Sequence, residues 1–341
     1  MQTFKPRVSI VFPSYNGVEY LKKNLDSIKN LNNNDEIEVV IVDNMSVDSS
    51  INVIKSYESD INIKLIRNKF NEGFAEACNS GVKNSNGEFI FITNQDVIFP
   101  PEFFEKLAKI YSKLKNKHEI VISPALIFEN GKIHYFGAKN HFLGFSYTPE
   151  TGEMLPKKKI IKDAHRLSGG SFYVKKEFFI RMGGFDKEFF MYYEDTDLSL
   201  KILRNGNKIY TTNDPFLIHQ KPHHPLSDLQ YYFLERNRFI VIIKNIRNIR
   251  KIVPMFIIVE FILIFHALLT KRFKLRVKLY LDLILKFKYF KKIRKISKNE
   301  NHLLPYQAFS KTLDPLLLGD LKRLKIFKIL LNQLNKFLKL F

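Results

Sequence analysis

The sequence predicts an α/β fold: a mostly parallel sheet flanked by helices, followed by a basic helical region. Three observations predict it. Short β-branched runs alternate with helical stretches across residues 1–125. Strand–helix–strand alternation of that kind calls for parallel strands with helices on both faces. The composition is globular, with 45% hydrophobic and 26% charged residues, which excludes wholesale disorder and collagen-like repeats. A composition shift after Pro225 separates a second region.

The elements follow in order. Val8–Phe12, Ile37–Asp43, Ile63–Arg67 and Phe89–Thr93 are short apolar runs of the kind buried on both faces. Between them the spacing predicts helices over Tyr20–Lys29, Asp48–Tyr57 and Phe74–Lys83. Cys78, the single cysteine, lies in the third and reads as a small core residue, so a disulfide scaffold and a cysteine-based zinc site are excluded. Ile120–Ser123 reads as a strand and Asn130-Gly131 as a hairpin turn. Phe172–Val174 is a further strand, followed by a helix over Lys176–Arg181 that ends at Gly183-Gly184. Thr196–Asn205 has helical spacing, closed by Gly206. Asp228–Asn245 is an aromatic and basic helix. Val253–Leu269 is apolar except for Glu260 and His266, and a last helix is expected over Leu316–Phe341. The N-terminal apolar run is read as a strand rather than a signal peptide.

The charge is unevenly placed. Residues 1–225 hold 30 Lys and Arg against 27 Asp and Glu, while residues 226–341 hold 25 against 7. Residues 271–298 alone carry 12 basic residues and one acid, Asp282, with Leu275, Leu279, Leu283 and Phe287 at helical spacing among them. A basic segment of this strength calls for a polyanion, either nucleic acid or an anionic membrane surface. Long aliphatic and aromatic stripes beside lysine describe an interfacial helix, so we expect the membrane surface, through residues 246–298, and no nucleic acid.

In a parallel α/β sheet, ligands bind beyond the carboxyl ends of the strands. Pro13-Ser14-Tyr15-Asn16, Asp43-Asn44 and Asn94-Gln95-Asp96 all stand at such ends, and Glu194-Asp195-Thr196-Asp197 opens a helix. Carboxylates converging on one crevice need a cation to offset them. Oxygen donors without cysteine favour Mg²⁺ or Mn²⁺, which bridge phosphates with few protein ligands. Each carboxylate also has a structural reading. Asp43 and Asp48 suit capping of the helix after them, and Asp195 or Thr196 suits capping of Thr196–Asn205.

The ordered set resembles family 2 glycosyltransferases of the GT-A fold. The resemblance lies in Val8–Gly17, Ile41–Asp48, Asn71–Gly81, Asn94–Val97, Ser168–Gly170 and Gly183–Leu198, and covers about residues 6–240. Within the family it is most similar to rhamnosyltransferase-type enzymes. It implies a catalytic domain over residues 1–225, with a nucleotide half over about 1–125 and an acceptor half over about 126–225. Residues 226–341 would then be a membrane-associating extension. It also implies an inverting, metal-assisted single displacement, from dTDP-rhamnose or a UDP-sugar to a glycan or polyprenyl-linked saccharide.

Residue roles follow from the same resemblance. Pro13, Tyr15 and Asp43 would line the base pocket, and Asn71, Gly73 and Phe74 the nucleotide wall. Asn94 and Asp96 stand where the family has its Asp-x-Asp metal motif; with Asn in the first place, Asp96 is left as the main carboxylate on Mn²⁺ or Mg²⁺. Gly169 and Gly170 would let the backbone approach the donor sugar beside Asn94. Asp195 would be the general base with Glu194 beside it. His219 would complete the metal site, with His223 and His224 as neighbouring alternatives.

Two other functions compete. A dinucleotide oxidoreductase shares the alternation, but the first turn, Pro-Ser-Tyr-Asn-Gly, lacks the glycine fingerprint. A non-enzymatic nucleic-acid or anionic-surface binding protein would use the basic C-terminal third alone. For Val253–Leu269 we favour an in-plane or re-entrant helix at the cytoplasmic face of the membrane, peripheral or monotopic, because both flanks are basic and Glu260 is costly at a bilayer centre. A single span and a buried bundle helix are the other readings.

Overall fold

A computed structural model of the chain describes residues 7–115, 118–220 and 226–299, together with Leu304, Phe309, Gln333 and Lys336. His223, His224 and, apart from the last two of those residues, the expected helix Leu316–Phe341 lie outside the described residues. Two compact units are present. One comprises residues 1–138 and 150–224, the other residues 139–149 and 225–341.

The first unit opens with β1 (Val8–Ser14), α1 (Val18–Lys29), β2 (Ile37–Asp43), α2 (Ser50–Lys55), β3 (Ile63–Arg67), α3 (Gly73–Lys83) and β4 (Phe89–Thr93). Strands β4, β1, β2 and β3 lie side by side in that order, all parallel, with Ser14 opposite Asp43. The four carboxyl ends therefore lie along one edge of the sheet. Side-chain alternation divides the core in two. Ile10, Phe12, Val39, Ile41 and Phe91 pack on the face covered by α1; Val11, Val40, Ile90 and Ile92 pack with Ala75, Cys78 and Val82 of α3. That period of two is why these runs form strands buried on both sides. Phe91 meets Phe99, Phe103 and Phe104 edge-on, with centroids 5.1–5.8 Å apart. Removing such a side chain costs about 3–5 kcal/mol.

The unit continues through β5 (Val97–Ile98), α4 (Phe103–Leu114), β6 (Ile120–Phe128) and β7 (Ile133–Tyr135). Asn130-Gly131 turns β6 into β7, with Gly131 at φ +78°. Beyond the 139–149 segment, which carries the hairpin β8 (Lys139–Asn140) and β9 (Ser146–Tyr147), come β10 (Ile161–Asp163), β11 (Ser171–Lys175), α5 (Lys176–Arg181), α6 (Glu194–Arg204) and β12 (Lys208–His219). β11 runs antiparallel to both β4 and β6, and β12 parallel to β6. The sheet order is β10-β12-β6-β11-β4-β1-β2-β3, so parallel pairing holds in the N-terminal half and the later strands make the sheet mixed.

Several expectations shift. The helix expected over Asp48–Tyr57 is only Ser50–Lys55, because Asp48 is tied into the preceding loop: its carboxylate accepts from the Ser50 and Val18 N–H groups. Helix α6 starts two residues early, with Tyr193 rather than Asp195 or Thr196 at the N-cap. It closes on Gly206 at φ +74°, where Asn207 N–H bonds the Ile202 carbonyl and Gly206 N–H the Leu203 carbonyl.

The second unit holds α7 (Asp228–Asn245), α8 (Ile249–Leu269), α9 (Phe273–Leu285) and α10 (Phe287–Asn299). Ser227 and Gln230 form a reciprocal capping box at the start of α7. α8 begins four residues before the expected Val253 and carries Pro254 within it. Glu260, at its middle, bonds Arg238 of α7, Arg276 of α9 (2.7 Å) and the Tyr280 hydroxyl (2.7 Å). Arg238 and Arg276 also reach Glu235, at 3.2 and 2.8 Å. Both arginines are fully buried, and Arg238 donates to the Leu143 carbonyl within the same unit.

Candidate active site

The loops beyond the strand ends are locked to one another by short polar side chains. Asn16 and Met45 have positive φ without being glycine, at +46° and +65°. Such conformations cost of order 1–3 kcal/mol and persist where the surroundings dictate them. Here Asn16 Oδ1 accepts from Val47 N–H, and the Ser46 hydroxyl accepts from Asn16 N–H. Asp43 is 1% exposed and its carboxylate takes the Ser46 N–H at 3.2 Å. Burial pushes the Asp48 carboxyl up, but its hydrogen bonds to Ser50 and Val18 outweigh this and leave it below its ordinary range. Tyr15 is half exposed at the lip of β1. Its backbone exchanges two hydrogen bonds with the Gln95 side chain, at 3.1 and 3.2 Å. Pro13, Tyr15 and Asp43 therefore lie on adjacent strand ends.

The turn into α3 shows why glycine is needed there. Gly73 has φ +82°, and a Cβ on it would lie 2.5 Å from both the ring and the carbonyl oxygen of Phe190. Asn71 Oδ1 accepts from Gly73 N–H, and the Gly73 carbonyl accepts from Asn44. Phe190, Tyr192 and Tyr193 all have positive φ, between +61° and +70°. Three such non-glycine residues within four positions hold the start of α6 in a conformation that the chain does not choose by itself.

The glycine pair ahead of β11 joins two groups of acids. A Cβ on Gly170 would lie 2.6 Å from the Asn94 amide, and one on Gly169 would lie 3.0 Å from Glu194 Oε1. The space left by Gly170 is thus filled by Asn94, two residues from Asp96. Gly169 N–H donates to Asp195 Oδ2 at 3.1 Å, and Arg166 binds the same oxygen at 2.5 Å. Thr196 donates to Asp195 Oδ1 at 3.2 Å. Glu194, 5% exposed, has Oε2 without a partner among the described residues. Burial, and then the Asp195 charge, push its carboxyl up to about 8, so it is protonated at neutral pH.

Asp96 and His219 stand side by side. β5 pairs with the end of β12, placing His219 opposite Val97, and His219 Nε2 lies 3.4 Å from Asp96 Oδ2. Asp96 Oδ1 is buried without a hydrogen-bond partner among the described residues. A carboxylate with one oxygen unengaged beside an imidazole suits a divalent cation. Among the described residues no third His, Cys, Asp or Glu joins them. Arg166 and Gln95 were not singled out in the sequence. Arg166 stands alone before Leu-Ser-Gly-Gly with no periodic signal, and the position of Gln95 between Asn94 and Asp96 is the one available hint.

A GT-A-type sheet with acids at the ends of β2 and β4 and at the start of α6 defines the class. The chain belongs to glycosyl transferase family 2, whose profile matches residues 9–185. A protein of Rickettsia typhi named as an uncharacterized glycosyltransferase is 30% identical over 207 residues, covering 59% of this chain and 60% of that one. One from Haemophilus influenzae with the same description is 28% identical over 213 residues, covering 61% and 66%. The chain thus spans less than two thirds of these relatives' length. Among solved structures, S. aureus TarS 1–349 in complex with UDP-GlcNAc matches with a TM-score of 0.52 at 20% identity, covering 70% of this chain and 67% of that one. The mannosyltransferase PcManGT from Pyrobaculum calidifontis, in complex with GDP-Man and Mn²⁺, matches with a TM-score of 0.51 at 19% identity, covering 71% and 64%. At these identities the likeness establishes the fold.

Proposed function

We propose that the chain is an inverting glycosyltransferase of rhamnosyltransferase type, working at the cytoplasmic face of a membrane. It would move a sugar from dTDP-rhamnose or a UDP-sugar to a glycan or polyprenyl-linked saccharide. One observation carries the reading: Gly169-Gly170 packs against Asn94 on one side and Glu194 and Asp195 on the other, so one dipeptide brings the Asn94–Asp96 segment beside the acids of α6. A sugar seated over the glycines would lie between them.

Pro13, Tyr15 and Asp43 would hold the base, and Asn71, Gly73 and Phe74 the rest of the nucleotide. Asp96 and His219 would hold Mn²⁺ or Mg²⁺, which when bound offsets charge on the diphosphate. Asp195 Oδ1, the oxygen not taken by Arg166, would accept the acceptor hydroxyl proton. That hydroxyl oxygen bonds to C1 as the bond from C1 to the phosphate oxygen breaks, its electron pair leaving with the nucleoside diphosphate. Glu194, protonated at neutral pH, is unsuited to the base role.

The second unit supports the membrane reading. Among the described residues one helix, α8, is long and apolar enough to cross a membrane. Val253, Ile257, Phe261, Phe265 and Leu268 form an exposed stripe along it at helical spacing, and Phe273, Val277, Leu281 and Leu285 form another along α9. Exposed lysines flank the second stripe, Lys274 and Lys278 among them. Apolar stripes edged by lysine suit an anionic lipid surface, each basic residue contributing about 1 kcal/mol there. The two fully buried arginines on Glu260 come from α7 and α9, so a spanning α8 would draw both into the bilayer, which favours the in-plane arrangement.

The test is a panel of dTDP-rhamnose, UDP-hexoses and GDP-mannose, each with Mn²⁺, added to purified full-length protein. Donor-specific thermal stabilisation and release of nucleoside diphosphate are expected, with inverted configuration in the product. No response to any donor would overturn the reading.

A further inference from the structure

We propose that Arg166 is a positioning residue that selects Asp195, rather than Glu194, as the ionised member of the acidic pair. The proposal rests on the reading of Asp195 as the base and adds what makes it one.

Two carboxyls stand on successive residues in the first turn of α6, both at least nine-tenths buried. Two adjacent buried carboxyls with one counter-charge do not both ionise. Their environments differ in the donors they meet, the Thr196 hydroxyl on Asp195 Oδ1 among them. Arg166 and the Gly169 N–H converge on Asp195 Oδ2, at 2.5 and 3.1 Å, whereas Glu194 has an oxygen with no partner among the described residues. The charge therefore settles on Asp195.

The other groups facing the pair leave this balance alone. Cys78 of α3 lies near Glu194, and burial, then the Glu194 charge, push its thiol well up, so it stays neutral. Tyr135 of β7 donates its hydroxyl to the Arg166 carbonyl at 2.6 Å, and burial keeps its phenol neutral. Asp197, on the same helix, is paired with Lys201 at 3.1 Å. The Tyr135 contact fixes the backbone that aims the guanidinium, so Arg166 is held rather than free to swing. With Oδ2 filled by two donors and Oδ1 taking the Thr196 hydroxyl alone, Oδ1 is the oxygen with a lone pair left for an incoming hydroxyl.

Removing the guanidinium should leave both carboxyls protonated near neutrality. The experiment uses full-length Arg166→Met and Arg166→Lys, and two readouts. In protein labelled with ¹³C at aspartate carboxyls, the Asp195 signal, assigned with Asp195→Asn, should be that of a carboxylate at pH 7 in wild type and in Arg166→Lys. In Arg166→Met it should be that of the acid. With whichever panel donor the wild type turns over, Arg166→Met should lose about tenfold in kcat/KM at pH 7 and recover at higher pH. The acid limb of its profile should move up by about two pH units, and Lys should restore most of it. A structural role alone would lower the rate at every pH. An Asp195 carboxylate in Arg166→Met at pH 7, or an unmoved acid limb, overturns the proposal. If Asp195→Asn itself turns over within a few-fold of wild type, the base reading has failed instead.

Discussion

Glu194→Gln tests the protonation of the site without needing a substrate. In the folded chain the Glu194 carboxyl is raised from 4.5 to about 8, burial being the main cause and the Asp195 charge the next. In the unfolded chain it ionises near its ordinary value. Between those two values the unfolded state loses a proton that the folded state keeps, so stability falls as pH rises. The contribution is fully present below about pH 4.5 and is lost by about pH 8. At about 1.4 kcal/mol per unit, the cost reaches about 3 kcal/mol at pH 7 and about 4–5 kcal/mol above pH 8. Glutamine has the same shape and no proton to lose. Relative to wild type, Glu194→Gln should therefore gain stability as pH rises from 5 to 8. The difference in Tm should widen by roughly 6–10 °C over that interval for a unit of this size. Thermal unfolding of both chains, at half-unit pH steps in one detergent, cancels every other titrating group. A Tm difference that stays flat from pH 5 to 8 would refute the reasoning and mean that Glu194 is ionised in the folded protein.

Three further outcomes are expected. Asp195→Asn should bind donor like wild type but turn over about 10²–10⁴-fold more slowly, the usual contribution of a general base; single-turnover kinetics on the responding donor decide this. Asp96→Ala should weaken donor binding in Mn²⁺ while leaving metal-free nucleotide binding little changed, as calorimetry with and without EDTA will show, and wild-type activity indifferent to EDTA would sink the metal reading. Phe261→Ser with Phe265→Ser should loosen binding of the full chain to vesicles of anionic phospholipid by about 10–100-fold without changing its melting, because both rings are exposed on α8; equal retention on DNA and vesicles would instead favour the nucleic-acid reading.

Much of the nucleotide half was legible because its strands are buried on both faces. Val8–Phe12, Ile37–Asp43 and Phe89–Thr93 must be near-continuous apolar runs, and such runs stand out in a sequence. The mixed half was harder. β12 was not foreseen, because Asn213-Asp214-Pro215 reads as a turn; the strand carries an irregularity between Thr212 and Phe216, where its pairing with β6 shifts register. α4 was missed too, its Phe103–Leu114 pattern following directly on Pro100-Pro101. At the site, Asp96 and His219 could be named because the family resemblance places a metal motif at Asn94–Asp96 and a histidine at His219; by residue type alone neither stands out. Arg166 could not, since an arginine is ordinarily a surface charge and only the fold brings it against Asp195. Likewise Gly170 suggested close approach, but that the approaching group is Asn94 is a fact of packing.

The second unit shows the same limit in a different form. By length and composition α8 is long and apolar enough to cross a membrane, and the carboxylate at its middle argues against crossing as long as the helix is considered alone. Within the unit that carboxylate is shared by Arg238 and Arg276, and Glu235 balances the second arginine. Two buried arginines and two glutamates sum to no net charge within this cluster. Removing one member leaves a buried charge unpaired, at about 3–5 kcal/mol. Truncation after Asn245 would take away Glu260 and Arg276 together, leaving Arg238 with Glu235 alone on a helix stripped of its α8 and α9 cover, so a chain cut there would report on misfolding as much as on membrane binding. The exposed stripe of α8 carries no part of the cluster. Substitutions on that stripe therefore separate attachment from folding, and the exposed lysines of α9 and α10, such as Lys274, Lys278, Lys288, Lys291, Lys292 and Lys295, remain available to lipid.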